Sequence, residues 1–204
     1  SNFSKRDISL EFNYPMNKIF VTHLAAEEIY KPINKDYCKK ILRDIYKIDT
    51  PFILYVGGFS PRKNILGLIE AYSKLVDKKG KDIKLVIAGK KGKSFQLYKE
   101  RAQKLALSDS IIFPGFIPLE HMPIFYNSAL FLVYPSHYEG FGLPPLEAMA
   151  CGTPVIASNT TSIPEILGDS AILVNPYDTD ALGESIYSLS EDKSCRSKLI
   201  EMGL

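Results

Sequence analysis

Two glutamates, Glu139 and Glu147, stand on either side of seven residues rich in glycine and proline. The intervening residues are Gly-Phe-Gly-Leu-Pro-Pro-Leu, and paired prolines suit the first turn of a helix, where a missing N–H costs little. An apolar run at 129–134 precedes the segment and has the length of a buried strand. A helix that starts after such a loop presents free N–H groups and a positive dipole end to anions. The pattern indicates a site for a negatively charged ligand that also carries hydroxyl groups.

A second loop combines glycines with cations. Gly57 and Gly58 follow an apolar run at 52–56, and Arg62 and Lys63 come just before a helical pattern. Glycine lets a ligand approach the backbone closely, while arginine and lysine supply a planar fork of donors and a point charge for phosphate. From these residues alone, a phosphate clamp and a solvated loop with incidental cations are equally good interpretations.

Four weaker candidates have competing structural explanations. The apolar loop 114–118 could lie against a flat base or simply pack against the domain. The segment that begins at Asp178 matches an Asp-x-Asp metal motif, but a helical pattern follows it and favours an N-cap role. Glu165, early in a short helix, fits capping and ligand binding equally well. His137 has no orienting acid nearby in the sequence, so the evidence for a catalytic base is weak.

A lysine-rich stretch at 89–94 imitates the phosphate-binding loop of kinases, but the required leading glycine would fall at Ile87. Further lysines lie near 78–81. Two short clusters in a nearly neutral chain favour a solvated face over contact with an anionic membrane surface.

Strand-like and helical patterns alternate along the chain. Apolar runs predict strands at 19–22, 52–56, 83–88, 111–113, 129–134, 154–157 and 171–174. Helical patterns occupy 36–46, 64–78, 95–107, 121–128, 144–151 and 164–167. Such alternation builds βαβ crossovers, and continuous apolar strands are buried on both sheet faces. The expected fold class is α/β, a Rossmann-like, doubly wound domain with a mostly parallel sheet, which binds ligands beyond the carboxyl ends of its strands.

Length and composition set further bounds. The 204 residues suffice for one large α/β domain or at most two small ones. A formal net charge of +2 gives no electrostatic case for a nucleic-acid partner, and no apolar run approaches the length that crosses a bilayer. Cys38, Cys151 and Cys195 are too few and too far apart for a disulfide framework. The histidines are scattered without metal-ligand spacing, which argues against a zinc site.

Several motifs occur together in a fixed order. They are Val56-Gly57 with Pro61-Arg62-Lys63-Asn64, residues 86–92, Tyr134-Pro135-Ser136 followed by 139–157, and Ile163-Pro164-Glu165. With these motifs the chain strongly resembles the C-terminal, donor-binding half of the family-4 (group 1) retaining glycosyltransferases of the GT-B fold. The resemblance covers nearly the whole chain and is most specific from Glu139 to Glu147. The Pro-Arg-Lys-Asn and Gly-Lys-Lys-Gly variants look like those of bacterial O-antigen and exopolysaccharide mannosyltransferases.

The resemblance implies roles for the matching side chains. Glu147 would accept hydrogen bonds from the ribose hydroxyls of a nucleotide sugar. Glu139 would lie beside the transferred sugar, where it would bind the sugar hydroxyls or support charge at the reacting centre. Lys63, assisted by Arg62, would neutralise the diphosphate as it becomes the leaving group, so that no metal ion is needed. Glu139, Lys63 and Arg62 are therefore the expected catalytic residues.

The resemblance also implies donor contacts from the backbone. They would be made by Gly57, Gly58, Ile117, Gly140, Phe141, Gly142 and Leu143. Ile117 matches the loop position whose backbone contacts the nucleobase, and 140–143 would hold the sugar and diphosphate at the helix start. Many family members carry an arginine at the position of Gly58, so Arg62 is the candidate replacement for that cation.

A complete enzyme of this family has two Rossmann-like domains, and the reaction takes place in the cleft between them. The resemblance makes residues 1–204 a single C-terminal nucleotide-sugar-binding domain, with 1–16 as a junction segment. The N-terminal acceptor domain and the final C-terminal helix would be absent. Such a chain should bind the donor but transfer no sugar alone.

The implied reaction moves a hexose from a nucleoside-diphosphate sugar to a glycan or lipid-linked acceptor during synthesis of bacterial surface polysaccharide. GDP-mannose is the first donor expected, and UDP-sugars are the second. The implied location is the cytoplasm, with peripheral contact through an acceptor lipid at the inner face of the plasma membrane. Two alternatives stay open: a GT-B-fold sugar-nucleotide epimerase and a non-catalytic nucleotide-sugar-binding module.

Overall fold

Six of the seven predicted apolar runs form the strands of one sheet. The computed structural model describes residues 1–92 and 94–204, which include all of these runs. The strands are β1 (Phe52–Val56), β2 (Lys84–Ala88), β3 (Ile111–Gly115), β4 (Leu132–Tyr134), β5 (Val155–Ser158) and β6 (Ile172–Val174). Their order is β3-β2-β1-β4-β5-β6, and every neighbouring pair is parallel. The predicted Rossmann-like, doubly wound α/β fold is confirmed.

Helices connect these strands and flank the sheet. They are α1 (Asn2–Glu11), α2 (Lys35–Tyr46), α3 (Ile65–Lys79), α4 (Phe95–Lys104), α5 (Met122–Ser128), α6 (Leu143–Ala150), α7 (Ile163–Leu167), α8 (Thr179–Glu191) and α9 (Lys193–Gly203). α4 ends before residue 107, where the pattern predicted its end, because Ala106 adopts a left-handed backbone with φ of 56°. Within residues 1–92 and 94–204, no helix is both long and apolar enough to span a membrane.

The strands bury both of their faces, as their continuous apolar sequences predict. In β1, Ile53 and Tyr55 belong to the apolar cluster on one face, whereas Phe52 and Leu54 belong to the cluster on the other. The first cluster includes residues of α3, α4 and α8, and the second includes residues of α2, α5 and α6. Helices packed on both faces fix the strand ends and therefore the loops that follow them.

The strand predicted at 19–22 does not form. No strand pairing occurs there, and Phe20 is 86% exposed. An apolar run becomes a strand where a neighbour supplies ladder hydrogen bonds and a helix covers it, and this segment lies outside both apolar clusters. β4 is also shorter than predicted and begins at Leu132, because Ala129 is the C-cap residue of α5.

The order of the strands reverses around β1, whose two neighbours are β2 and β4. Loops that leave β1 and β4 therefore diverge towards opposite sides of the sheet. Divergent loops leave a crevice at the carboxyl ends of the strands, which is where doubly wound sheets bind ligands. Lys63 follows β1 and Glu139 follows β4, so both belong to this crevice.

Candidate functional site

Lys63 is a buried cation at the crevice. It ends the short 3-10 turn Pro61–Lys63, after which Asn64 takes a left-handed φ of 55° before α3 begins. The Lys63 side chain is only 11% exposed. Its ammonium donates to the Tyr134 hydroxyl at 2.8 Å and to Glu139 Oε1 at 2.5 Å. A buried ammonium needs such partners, so Lys63 is a fixed charge within the crevice and not a solvated one.

Glu139 contacts both cations of the loop after β1, Arg62 and Lys63, and also Tyr134 at the end of β4. Its Oε2 accepts from Arg62 Nη1 at 3.0 Å, and its Oε1 accepts from the Tyr134 hydroxyl at 3.0 Å. The backbone of Glu139 is held from the opposite side: its N–H donates to Thr161 Oγ1 at 3.1 Å and its carbonyl accepts from Ser162 Oγ at 2.8 Å. Glu139 is therefore fixed by the loop after β1 and the end of β4 at its carboxylate, and by the loop after β5 at its backbone.

The pair of Lys63 and Glu139 is charged in the folded protein. Burial alone would raise the pKa of Glu139, but the bonds from Lys63 and Arg62 outweigh it and hold that pKa below the usual value. Burial lowers the pKa of Lys63, and Glu139 opposes this effect. Two cations thus face one carboxylate, which leaves an excess positive charge at the carboxyl ends of β1 and β4.

Glu147 lies on α6 at the wall of a neighbouring cavity of about 530 Å³. Its Oε2 accepts a hydrogen bond of 2.6 Å from the hydroxyl of Tyr126 on α5. Burial raises the pKa of Glu147, the bond from Tyr126 opposes this shift, and the charge of Glu27 adds to it. A carboxylate held on one side by a tyrosine can accept further hydrogen bonds from ligand hydroxyls on the other.

Apolar side chains and glycines both line the cavity. Ile117 is buried and Phe116 is 71% exposed, and both line the cavity after β3. Gly57 and Gly89 line it where β1 and β2 end. A Cβ at Gly89 would lie 1.9 Å from the carbonyl oxygen of Gly57, so a side chain there would force the two loops apart. The cavity depends on this close approach of backbone to backbone.

α6 begins just after its N-cap residue Gly142, whose φ of 115° strongly favours glycine. A Cβ at this position would also lie 2.6 Å from Cδ1 of Ile163. Pro144 and Pro145 carry no N–H, so the amides available at the helix start are those of Leu143 and the residues before it. The donor contacts expected from 140–143 stay a prediction.

The structure brings the predicted residues into two adjoining groups. Glu139, Lys63 and Arg62 are in direct contact. The cavity wall includes Gly57, Gly58, Ile117, Leu143 and Glu147. Gly140, Phe141 and Gly142 connect the two groups along the chain but do not line the cavity. The ligand contacts of all these residues remain predictions.

Three of the four weaker candidates, Asp178, Glu165 and His137, make contacts within the protein. Asp178 caps α8 by accepting from the Ala181 N–H at 2.9 Å, as predicted. Glu165 caps a helix, but that helix is α1 and not its own helix α7. His137 stacks on Tyr177 with ring centroids 4.5 Å apart, and burial lowers its pKa. Its Nδ1 has no hydrogen-bond partner in the described part of the chain.

Among the lysines predicted to be solvated, two form ion pairs and one lines the cavity. Lys78 pairs with Glu184 at 2.6 Å, and Lys79 pairs with Glu191. Lys90 lines the cavity, whereas Lys93 lies outside the described residues. Among residues 1–92 and 94–204, no three His, Cys, Asp or Glu side chains are grouped to hold a metal ion.

Two tyrosines that the sequence analysis did not select complete the site. Tyr134, the last residue of β4, bonds both Lys63 and Glu139, and Tyr126 bonds Glu147. A buried tyrosine hydroxyl needs a partner, so a tyrosine at a strand end within a few residues of a buried carboxylate is a usable signal. Tyr126 has no such local signal, because it meets Glu147 only after α5 and α6 pack together.

Fold and site together define a class: an α/β domain in which a nucleotide-sized cavity adjoins paired cations at the reversal point of a parallel sheet. The family model of glycosyl transferases group 1 matches residues 39–203, and the chain belongs to this family.

Relatives and solved structures agree with this assignment. The chain is 37% identical over 204 residues to O-antigen chain mannosyltransferase B of Escherichia coli, a match to 100% of this chain and 54% of that protein. It is 29% identical to the C-terminal domain of LpcC, a group 1 glycosyl transferase of Francisella tularensis, with a TM-score of 0.76 and coverage of 88% and 94%. Anabaena HepE, solved with UDP and glucose, is 20% identical with a TM-score of 0.82 and coverage of 98% and 55%, a likeness of fold. The chain spans about half the length of the curated relative.

Proposed function

We propose that the chain is the donor-binding half of a retaining glycosyltransferase that moves a hexose from a nucleoside-diphosphate sugar to a glycan or lipid-linked acceptor of bacterial surface polysaccharide. The observation that carries the proposal is the Lys63–Glu139–Arg62 cluster beside a cavity that is lined by Glu147. A diphosphate needs cations, a ribose needs a hydroxyl acceptor, and a base needs an apolar surface. The cluster supplies the cations, and the cavity lining includes both the Glu147 carboxylate and the apolar side chains of Phe116 and Ile117.

The cations would act on the leaving group. As the bond between sugar and diphosphate breaks, negative charge grows on the phosphate oxygens, and Lys63 and Arg62 would stabilise it without a metal ion. Glu139 already has both oxygens bonded and a lowered pKa. It is therefore poorly suited to remove a proton from an acceptor, which supports charge stabilisation and a retaining course over general-base catalysis.

The donor is proposed from the relatives. The Escherichia coli relative is named a mannosyltransferase of the O-antigen chain, which supports GDP-mannose as the first candidate. The fold neighbour that holds UDP and glucose supports UDP-sugars as the second. Contact to the base through the backbone at Ile117 suits either nucleotide. The acceptor would be met in the cytoplasm at the inner face of the plasma membrane.

Ribose recognition by Glu147 gives a direct test. Wild type should bind GDP about tenfold or more tightly than 2′,3′-dideoxy-GDP in calorimetry, because hydroxyl bonds to a carboxylate are charge-assisted. Glu147→Gln should lose most of this preference. Glu184→Gln, which removes the carboxylate that pairs with Lys78 on α3, should keep it. If wild type and Glu147→Gln preferred GDP over 2′,3′-dideoxy-GDP by the same factor, the assigned role would be refuted.

The alternatives predict different products. Membership in the group 1 glycosyl transferases favours sugar transfer over epimerisation. Mass spectrometry of the full-length protein with a nucleotide sugar and a glycan acceptor separates the three possibilities. A glycosylated acceptor supports the proposal, an isomerised donor supports the epimerase, and an unchanged donor that is nevertheless bound supports the non-catalytic module.

A further inference from the structure

None of the residues of α1 is buried, so α1 has no apolar anchor in the core. Polar contacts at its first turn hold it on the domain. Glu165 of α7 supplies the largest share of these contacts. Its Oε1 accepts from the Asn2 N–H at 2.7 Å and from Asn2 Nδ2 at 3.0 Å, and its Oε2 accepts from the Phe3 N–H at 3.0 Å. The first N–H groups of a helix have no partner within the helix, and a carboxylate there also complements the helix dipole.

The same turn of α1 contacts the loop that carries Glu139. The hydroxyls of Ser1 and Ser4 each donate to the carbonyl oxygen of Gly140 at 2.8 Å. The ring of Phe3 meets the ring of Tyr138 edge to face, with centroids 5.6 Å apart. Residues on both sides of Glu139 therefore touch α1.

Two more contacts reinforce this arrangement. The Tyr138 hydroxyl bonds the carboxylate of Asp7, one turn further along α1. His23 Nε2 lies 3.0 Å from Glu165 Oε1, and its ring lies 6.1 Å from the ring of Phe141. The segment after α1 is thus attached to the same carboxylate and reaches the same loop.

We propose that Glu165 is a positioning residue, which anchors α1 so that α1 holds loop 138–141 in the shape that presents Glu139 to the transferred sugar. The loop is clamped between two surfaces. Thr161 and Ser162 hold the Glu139 backbone from one side, and Ser1 and Ser4 hold Gly140 from the other. Without the carboxylate at its N-terminus, α1 would lose its main attachment, and Gly140, which is exposed, would lose its outer support. That Glu139 meets the transferred sugar rests on the proposed function, whereas the support of loop 138–141 by α1 rests on geometry alone.

The loop can be tested without any ligand. We expect Glu165→Gln to lower the amide order parameters of Gly140 and Phe141 from about 0.85 to below about 0.6 in ¹⁵N relaxation measurements. Glu184→Gln, the loss of a surface ion pair on α8, should leave them unchanged. Order parameters that fall only within α1, or nowhere, would overturn the proposal. If Glu165→Gln were broadly unfolded, Ser4→Ala would be judged by the same criterion, because it removes one direct bond to Gly140.

Binding then tests the sugar. Calorimetry should compare GDP-mannose with GDP, and UDP-glucose with UDP. We expect Glu165→Gln to weaken the affinity for the nucleotide sugar about tenfold and to change the affinity for the nucleotide less than about twofold. An equal loss for both ligands would overturn the role at the sugar. If wild type bound none of the four, the proposed function would fail, whereas the order parameters would still decide whether Glu165 positions the loop.

Discussion

Glu139 balances only one of the two cations that touch it. Lys63 is buried and bonded to Glu139 and Tyr134, whereas the Arg62 side chain is 53% exposed and reaches Glu139 from the solvent side. Lys63 therefore gives the site a fixed charge, and Arg62 gives it a charge that can turn towards a diphosphate. We therefore propose Arg62, and not Lys63, as the replacement for the arginine expected at Gly58.

Gly58 makes a rescue experiment feasible. A Cβ at Gly58 would meet no atom within 4 Å, so the backbone at this position leaves room for a side chain to begin. We expect Arg62→Gln to weaken GDP or UDP binding about tenfold, or ~1.4 kcal/mol. The double variant Gly58→Arg with Arg62→Gln should recover most of that loss in calorimetry, because it restores a cation at the crevice.

Gly58→Gln with Arg62→Gln is the matched control, since it adds a side chain of similar reach without charge. Recovery in this control would mean that packing and not charge restores binding. Full affinity of Arg62→Gln alone would contradict the assignment of Arg62 as the second cation.

Among the elements, α1 shows most clearly what the sequence could not reveal. The strands β1 to β6 and the helices α2 to α8 follow from continuous apolar runs and helical periodicity, and the site loops follow from glycine, proline and cation spacing. α1 buries no residue and so has no apolar stripe to detect. Glu165, whose carboxylate binds the N-terminus of α1, is more than 160 residues away in sequence. Tyr126 was missed for the same reason, because tertiary packing creates its contact with Glu147.

The attachment of α1 should depend on pH. Partial burial raises the pKa of Glu165, but the amides of Asn2 and Phe3 and the contact with His23 outweigh it and hold that pKa at about 2. A carboxyl group whose pKa falls on folding stabilises the fold above its ordinary value of 4.5, and this stabilisation is lost as pH falls towards about 2. We expect wild type to have a larger free energy of unfolding than Glu165→Gln at about pH 7. This gap in unfolding free energy should shrink by roughly half at about pH 3.

Urea unfolding at both pH values measures this gap. Glu184→Gln serves as the control for loss of a surface carboxylate. A gap between wild type and Glu165→Gln that stays constant, or grows as pH falls, would show that the Glu165 carboxylate does not stabilise α1 in its ionised form.

For the whole molecule, the cations, the cavity and both glutamates lie within one folded domain. The chain buries an apolar cluster on each face of its sheet, which is a sufficient core for independent folding. We expect the isolated 204-residue chain to bind a nucleotide sugar and to transfer no sugar, because the acceptor would be held by the other half of the enzyme. Incubation with GDP-mannose, UDP-glucose and a lipid-linked glycan, followed by mass spectrometry, checks this. A glycosylated product would contradict it.

Amide chemical shifts can locate the proposed donor site without any substitution. In a titration of the ¹⁵N-labelled chain with GDP-mannose or UDP-glucose, we expect saturating shifts of the amides that surround the cavity, Gly57, Gly58, Ile117 and Leu143. Shifts confined to the separate cavity lined by Lys39, Arg43 and Thr50, or no shifts at about 1 mM of either ligand, would contradict it.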